Sequence, residues 1–307
     1  MTDTPRSAPD DPLPWQTPKD PSDDPEASQR VRAILASPAY RQADEDTDFL
    51  QTDPLRATRL QLDYLKPELG LADHGIGHTV VVFGGTRIPE PAAARRKLDE
   101  CRRKLAENPD DAALRRTEKI AGRVVEKSRY YTVARDFARL IGRTTDSTHG
   151  ERIAIMTGGG PGLMEAANRG AWDAGAKSVG LNITLPHEQY PNPYLTPGLC
   201  FRFHYFALRK LHFLHRARAL VAFPGGYGTF DELFETLVLI QTRKIEPLPV
   251  VLVGRSFWSR AVDFDFLVEE GVIAPEDTGL FRHAETAEEI HDHIAEWYRG
   301  RGNPIFG

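Results

Sequence analysis

The segment 219–235 constrains the fold of this chain more than any other stretch of its sequence. A short apolar run ends at Pro224, three glycines follow within four positions, and apolar residues then recur at helical spacing. This order predicts a β-strand, a tight glycine turn and an α-helix. In such a turn, backbone N–H groups converge before a helix N-terminus, where the helix dipole favours an anion. The turn lacks the lysine and the spacing of a P-loop, so we expect it to bind a monophosphate largely through backbone groups.

The pattern Thr229-x-x-Glu232 inside this segment has two interpretations. It matches a capping box, in which Thr229 caps the helix and Glu232 bonds back to the cap. It also places Glu232 in the first helical turn, where a carboxylate lies beside the phosphate-binding turn. The four residues alone favour the capping box, whereas the glycine turn and the motifs described below favour a chemical role.

Two further strands are predicted to end in glycine turns. The apolar run 78–83 is followed by 84–87, and the run 152–156 is followed by 158–162. We call 84–87, 158–162 and 225–228 the first, second and third glycine turns. Position 163, where a dinucleotide-binding fingerprint needs its last glycine, is leucine. Strands and helices alternate along the chain, which predicts an α/β fold with a doubly wound, mostly parallel, Rossmann-like sheet.

The remaining elements follow from apolar periodicity and from helix-terminating residues. Helices are predicted over 26–36, over 54–65 with Pro67 as the stop, and over 130–142, 207–216, 257–269 and 284–298; strands are predicted over 178–183, 201–205 and 249–253. The proline-rich loop 186–198 is expected to form an irregular wall over a pocket.

Composition divides the chain into four parts. Residues 1–26 are rich in Pro and Asp and are predicted to be a disordered tail. Residues 27–75 are predicted to form a helical extension that packs on the following domain or on a partner subunit. The nucleotide-binding catalytic domain is expected to span 76–307. Within it, the charged segment 90–127 is predicted to be an inserted helical hairpin, solvated and rich in salt bridges, with a lid or an oligomer contact as the alternative.

Charge and cysteine content exclude several classes of function. The net charge of -5 argues against binding to nucleic acid or to an anionic membrane. The two cysteines, Cys101 and Cys200, have neither metal-ligand spacing nor the density of a disulfide framework. No signal peptide and no run of 18 apolar residues is recognisable, so we expect a soluble, cytoplasmic protein.

Topology predicts that distant motifs meet in one crevice. The three glycine turns all follow parallel strands, so they should lie at the same edge of the sheet. Arg209 and Lys210 open the helix that leads into the strand before Pro224, and that helix begins at the same edge. The crevice should therefore hold three glycine turns, a guanidinium and a carboxylate.

Three motifs together resemble the LONELY GUY family, long labelled "lysine decarboxylase-like". They are the segment 158–168, the pair Arg209-Lys210 and the segment 224–232, and the resemblance covers about 76–255. Proteins of this family are understood as phosphoribohydrolases of cytokinin nucleoside 5′-monophosphates, and many bacterial members are described as AMP nucleosidases. The resemblance implies a Rossmann-like fold, a homodimer or larger homo-oligomer, and no metal or redox cofactor.

The resemblance also implies roles for individual residues. Arg209 and Glu232 match the pair assigned to catalysis, and the phosphate loop matches Gly225, Gly226, Gly228 and Thr229. Further candidates for substrate binding are Gly84, Gly85, Arg87, Gly159, Gly160, Met164, Glu165, Asn182, Lys210 and Tyr227. For three of these, a structural role is the alternative: Met164 as core, Glu165 as a helix-dipole partner and Arg87 as a surface ion pair.

We therefore expect hydrolysis of the N-glycosidic bond of AMP or N6-modified AMP. Glu232 would stabilise an oxocarbenium-like sugar, and Arg209 would contact ribose or phosphate and keep Glu232 ionised. A non-catalytic carrier of a nucleotide or of the molybdenum cofactor is the alternative from another class. Amino-acid decarboxylation is disfavoured, since it needs an electron sink such as pyridoxal phosphate on a lysine, and no glycine turn contains one.

Overall fold

The computed structural model describes residues 16–144, 152–185, 190–302 and 305. It divides into two compact units, Met1–Arg59 and Leu60–Gly307. Helices α1 (Ala27–Leu35) and α2 (Thr47–Leu50) belong to the first unit, and α3 (Arg56–Asp73) leads into the second. Of the predicted tail, residues 1–15 lie outside the described residues, and the part up to Glu26 forms largely exposed turns.

The second unit is built on one sheet of seven parallel strands, which confirms the predicted Rossmann-like α/β fold. The strands are β1 (Ile76–Phe83), β2 (Arg152–Thr157), β3 (Ser178–Ile183), β4 (Cys200–Phe203), β5 (Ala217–Ala222), β6 (Val250–Val253) and β7 (Phe281–Ala284). Their spatial order is β4-β3-β2-β1-β5-β6-β7. The chain therefore reverses its direction across the sheet between β1 and β5, and this switch point is where α/β sheets bind ligands.

Helices cover both faces of the sheet. They are α4 (Pro91–Glu107), α5 (Ala112–Lys127), α6 (Arg129–Arg143), α7 (Leu163–Asp173), α8 (Phe206–His215), α9 (Tyr227–Gln241), α10 (Arg255–Ala261), α11 (Phe264–Glu269) and α12 (Ala287–Arg299). Alternate residues of β1 enter opposite cores: Val80 packs with α6, α7 and α12, and Val81 packs with α8, α9 and α10. Burial on both faces explains why central strands such as β1 and β5 contain continuous apolar runs. No helix in the described ranges is both long and apolar enough to cross a membrane.

The charged segment 90–127 forms the two helices α4 and α5, as its pattern predicts. Asp111 caps α5 by accepting hydrogen bonds from two backbone N–H groups. The two helices share a small core of Leu98, Cys101 and Ala121, and Arg102 donates to Glu118 at 3.1 Å across the hairpin.

Two predicted helix boundaries are wrong. Helix α3 does not stop at Pro67 but continues to Asp73. Proline removes one backbone hydrogen bond, yet Pro67 and Leu71 are buried, and this packing outweighs the loss. The predicted helix over 257–269 is two helices, because the chain leaves the helix after Ala261 and Asp263 caps α11, its side chain accepting from the N–H of Phe266 at 3.0 Å.

Strand β7 was not predicted, and Ala284 lies in it rather than in the last helix. Its four residues are Phe-Arg-His-Ala, and Ala284 is the buried one among them. Such a segment has no apolar run, so β7 forms because β6 offers a free edge. Helix α12 begins after Thr286, whose side chain accepts from the N–H of Glu289 at 3.2 Å.

Candidate functional site

A cavity of about 380 Å³ opens at the carboxyl ends of β1 and β5, at the switch point of the sheet. All three glycine turns, the start of α8 and the start of α9 contribute to its walls. The lining residues are Phe83, Gly84, Gly85, Thr86, Gly158, Met164, Ile183, Leu185, Phe206, Arg209, Phe213, Gly226, Tyr227, Gly228, Thr229 and Glu232. The crevice predicted from topology is therefore present.

The three glycine turns are hydrogen-bonded into one unit. The N–H of Gly85 donates to the carbonyl of Pro224 at 2.9 Å, and the N–H of Leu163 donates to the carbonyl of Gly85 at 3.3 Å. Gly162 has a positive φ of 74°, and a Cβ there would lie 2.4 Å from the carbonyl oxygen of Gly85. Only glycine allows so close an approach, so the turns are fixed relative to one another.

The third glycine turn presents unpaired backbone donors to the cavity. Helix α9 begins at Tyr227 with Gly226 as its N-cap, and no side chain caps it. In the described part of the chain, the N–H groups of Gly226, Tyr227 and Gly228 have no acceptor. A Cβ added at Gly226 or Gly228 would meet nothing within 4 Å. Amides at the positive end of a helix dipole and open to a cavity are the groups with which proteins bind anions.

The capping-box interpretation of Thr229 and Glu232 is wrong, and so is the placement of Glu232 in the first turn. Because α9 begins at Tyr227, Thr229 is its third residue and Glu232 its sixth, in the second turn. Thr229 packs against Gly225 instead, where an added Cβ would lie 2.1 Å from its Oγ1. The glycines allow the helix to begin before Thr229, and Glu232 is free of any capping role.

Glu232 is a buried carboxyl group on the cavity wall. It is 4% exposed, and among the described residues its side chain has no hydrogen-bond or ion-pair partner. Burial raises the pKa of Glu232 to about 7, against the opposing charges of Lys210 and Arg209. Arg209 alone therefore does not keep Glu232 ionised as expected, because the cost of burying the charge is the larger effect. Near pH 7 the carboxyl group is therefore present in both its protonated and its ionised form.

Arg209 is a half-buried cation beside Glu232. Helical spacing places Phe206, Arg209 and Phe213 on one face of α8, and the guanidinium lies 4.8 and 5.6 Å from the two ring centroids. Its Nε is buried without a hydrogen-bond partner, and burial lowers the pKa of the guanidinium. A buried donor without a partner is costly, and an anionic or hydroxyl-bearing ligand would satisfy it.

Several predicted site residues lie outside the lining. Lys210, the neighbour of Arg209, points away and pairs with Asp231 at 2.8 Å and with Glu235 at 3.0 Å. Arg87, the last residue of the first glycine turn, is exposed and does not line the cavity. Gly225, the first residue of the third glycine turn, does not line the cavity and makes room for the side chain of Thr229.

The second glycine turn reaches the cavity through Gly158 and through Met164 of α7. Gly159 and Gly160 do not line the cavity: an added Cβ at Gly159 would lie 2.0 Å from Oδ1 of Asn182, and Asn192 donates to the carbonyl of Gly160 at 3.1 Å. Asn182 is thus a packing neighbour of this turn. Glu165 accepts a hydrogen bond from the Tyr131 hydroxyl at 2.8 Å and does not line the cavity.

Sequence reasoning missed the apolar part of the lining. The residues not predicted are Phe83, Thr86, Gly158, Ile183, Leu185, Phe206 and Phe213. The spacing of Phe206 and Phe213 around Arg209 on one helix was a usable signal. Phe83 and Ile183 end buried strands, and nothing in the sequence separates them from core residues.

Comparisons with known proteins confirm the resemblance noted from the motifs. A family model described as "Possible lysine decarboxylase" matches residues 164–294. The chain is 28% identical over 180 residues to the probable cytokinin riboside 5′-monophosphate phosphoribohydrolase LOGL3 of Oryza sativa subsp. japonica, covering 56% of this chain and 78% of the relative. It is 29% identical over 177 residues to the cytokinin riboside 5′-monophosphate phosphoribohydrolase LOG3 of Arabidopsis thaliana, covering 56% and 77%.

A solved structure of the molybdenum cofactor carrier protein of Chlamydomonas reinhardtii is also similar. Its sequence is 18% identical, its TM-score is 0.40, and the match covers 74% of this chain and 99% of that one. A similarity of this size supports no argument about function.

The raised pKa of Glu232 predicts a pH-dependent change in stability when the acid is removed. Because folding raises this pKa from 4.5 to about 7, the free energy of unfolding of the wild type falls as pH rises through that range. Glu232→Gln carries no charge and should avoid this loss. At pH 8 its free energy of unfolding should exceed that of the wild type by up to about 3 kcal/mol.

The gain should shrink toward pH 4, where the carboxyl is protonated in both folded and unfolded chains. Urea unfolding at both pH values measures it, and the exposed Glu276→Gln is the matched control. Equal stability of wild type and Glu232→Gln at pH 8 would contradict the burial of a charge at this position.

Proposed function

We propose that this chain hydrolyses the N-glycosidic bond of purine nucleoside 5′-monophosphates, releasing the free base and ribose 5-phosphate. One observation carries the proposal. The backbone amides of residues 226–228, which have no hydrogen-bond acceptor, and the buried carboxyl group of Glu232, which has no partner, lie at the start of the same helix and face the same cavity. The names of the similar plant proteins describe the same class of reaction.

The 5′-phosphate is proposed to bind at the third glycine turn. Its charge is matched by the free N–H groups, by the dipole of α9 and by the half-buried guanidinium of Arg209. The rise of an α-helix places the Cα of Glu232 roughly 8 Å beyond the first amides, a span that a pentose phosphate can bridge. Binding energy from the phosphate, remote from the reacting bond, thus holds the anomeric carbon near Glu232.

The reaction needs a fixed negative charge at the sugar. As the C1′–N9 bond breaks, its electron pair leaves with the purine, and positive charge develops on the ring oxygen and C1′ of the ribose. The ionised carboxylate of Glu232 stabilises this charge, and it orients or deprotonates the water that attacks C1′, or attacks C1′ itself. The water oxygen ends on C1′ and one of its protons ends on the base.

The apolar wall of the cavity is proposed to hold the base. Met164, Ile183, Leu185 and Phe206 line it, and they offer a surface for a planar purine. Phe206 and Leu185 are partly exposed, so the wall continues toward solvent. AMP and N6-alkylated AMP both suit such a wall, and a substrate series decides between them.

Lysine decarboxylation, which the description of the family model suggests, is not supported by the lining. Decarboxylation on pyridoxal phosphate needs a lysine that forms a Schiff base with the cofactor. Within the described ranges, no lysine lines the cavity, and the amine of Lys210 is held by two carboxylates.

The proposal is tested by incubating the purified full chain with AMP and separating the products by chromatography. Adenine and ribose 5-phosphate should appear in equal amounts. Adenosine, which lacks the phosphate, should react at least about 100-fold more slowly in kcat/KM because the phosphate positions the sugar. If AMP binds and no base is released, the chain is a nucleotide-binding protein and the hydrolase proposal is wrong. N6-isopentenyl-AMP and the other nucleoside monophosphates complete the series.

Gly226→Val should weaken AMP binding at least about 10-fold, because the new side chain points into open cavity space in front of the free amides. The backbone at Gly226 is extended, with φ -101°, so valine is tolerated. Calorimetry in a Glu232→Gln background measures the affinity without consuming AMP. Gly122→Val is the control, since a Cβ on this α5 residue also meets nothing within 4 Å. If Gly226→Val bound AMP with unchanged affinity, the third glycine turn would be excluded as the binding site of the phosphate.

A further inference from the structure

A second cavity, of about 480 Å³, lies between the inserted hairpin and α10. We call it the basic groove. It shares no lining residue with the cavity that contains Glu232. Its lining residues are Arg123, Glu126, Lys127, Arg129, Tyr130, Ser256, Phe257, Arg260 and Ala261. The proposed hydrolase activity assigns no role to it.

The groove concentrates positive charge in a chain whose net charge is -5. Arg123 and Lys127 are four residues apart and so lie on one face of α5, while Arg260 faces them from α10. These three side chains have no ion-pair partner among the described residues, and Glu126 is the one acid in the described lining. Like charges at this helical spacing repel, so an anion between them would relieve the repulsion.

The back wall of the groove is held in place. Arg129 donates to Glu285 and to the hydroxyl of Tyr130, both at 2.7 Å. The Tyr130 hydroxyl approaches Gly254 so closely that an added Cβ there would lie 2.6 Å from it. Gly254 has a positive φ of 89°, which favours glycine. Phe257 adds an apolar wall, and the centroid of its ring lies 6.4 Å from the ring centroid of Phe230 in α9.

We infer that the basic groove is a second anion site, which binds a small polyanion with a chain of phosphates. Guanidinium groups suit this ligand because their planar donors bind phosphate oxygens in pairs. Three cations without partners match a ligand with several negative charges, and a volume of about 480 Å³ accommodates a triphosphate. The ligand chemistry is shared by inorganic tripolyphosphate and by nucleoside triphosphates.

Calorimetric titration with inorganic tripolyphosphate at low ionic strength tests the inference. The protein used is the whole chain with the substitution Gly226→Val, in which the third glycine turn is blocked. One molecule of tripolyphosphate should bind per chain. Adding Arg123→Ala and Arg260→Ala should weaken binding at least about 10-fold, since charge-assisted bonds are lost. The control pair, Arg103→Ala with Arg116→Ala, removes the same charge from exposed positions of α4 and α5 and should leave binding unchanged.

Two results would overturn the inference: no binding to Gly226→Val, or equal losses in the groove pair and the control pair. A parallel titration with ATP distinguishes the sources, because tighter binding of ATP indicates that the base contacts Phe257, while equal binding indicates that the groove recognises the phosphates alone. The titrations involve no turnover. Their outcome is therefore independent of whether the chain hydrolyses AMP.

Discussion

Glu232→Gln is expected to lower kcat for AMP by roughly 100-fold or more while changing AMP affinity less than about threefold. The side chain lies in the cavity wall without a partner, so the substitution removes a charge and no structural bond. Loss of one preorganised electrostatic group in an active site costs rate of this order. The substitution leaves the third glycine turn unchanged, so binding of AMP in the ground state should persist.

Single-turnover release of adenine measures the chemical step, and calorimetry measures AMP binding by the same preparations. Glu235→Gln is the matched control, because this acid lies one helical turn further along α9, is bound to Lys210 and does not line the cavity. Near-normal turnover in a folded Glu232→Gln protein would exclude the acid from the reaction. The same variant is expected to be more stable above pH 7, so reduced activity with increased stability distinguishes loss of chemistry from loss of fold.

Arg209→Met should lower kcat/KM for AMP by roughly 100-fold and shift its pH dependence. In the wild type, kcat/KM should fall as pH drops below about 7, where Glu232 takes up its proton. Arg209 lowers the pKa of Glu232, so its removal raises that pKa further and moves the acidic limb to higher pH. The substitution also removes the Nε of Arg209, a donor that is free to bind the ligand, so the affinity for AMP should fall as well.

Arg209→Lys separates the two effects. A lysine keeps the charge but not the planar guanidinium that lies over Phe206 and Phe213, so the acidic limb should stay near that of the wild type while KM rises. Arg218→Met is the control for loss of a cation, since Arg218 is the second residue of β5 and lies near the amino ends of the strands, away from the cavity. An acidic limb that is identical in wild type and Arg209→Met would exclude electrostatic coupling between Arg209 and Glu232.

Much of the site could be predicted because parallel strands end at a common edge. Once the three glycine turns were placed after strands, their meeting followed from topology, and the cavity contains residues from all three. Within each turn the sequence was less informative. Gly158 faces the cavity and Gly159 faces Asn182, a difference that depends on backbone angles and not on residue type.

The structure also gives different surroundings to adjacent residues that have similar chemistry. Arg209 and Lys210 are both cations in one helical turn, yet Arg209 enters the cavity and Lys210 binds two carboxylates on α9. Helical rotation of about 100° per residue turns neighbours to different surroundings. Which of the two meets a ligand depends on the element packed against each face.

The amino-acid sequence by itself determined the parallel sheet, the glycine turn after β5 and the acid that follows that turn, because apolar runs, glycine spacing and helical periodicity are local properties of the chain. Only the tertiary structure decided that α9 begins at Tyr227, that Glu232 is free of a capping role, and that its pKa lies near 7. These depend on burial and on charges from α8, which lies next to α9 only after the sheet has formed. The basic groove likewise exists only because the fold brings the hairpin and α10, which are far apart in sequence, to opposite sides of one cavity.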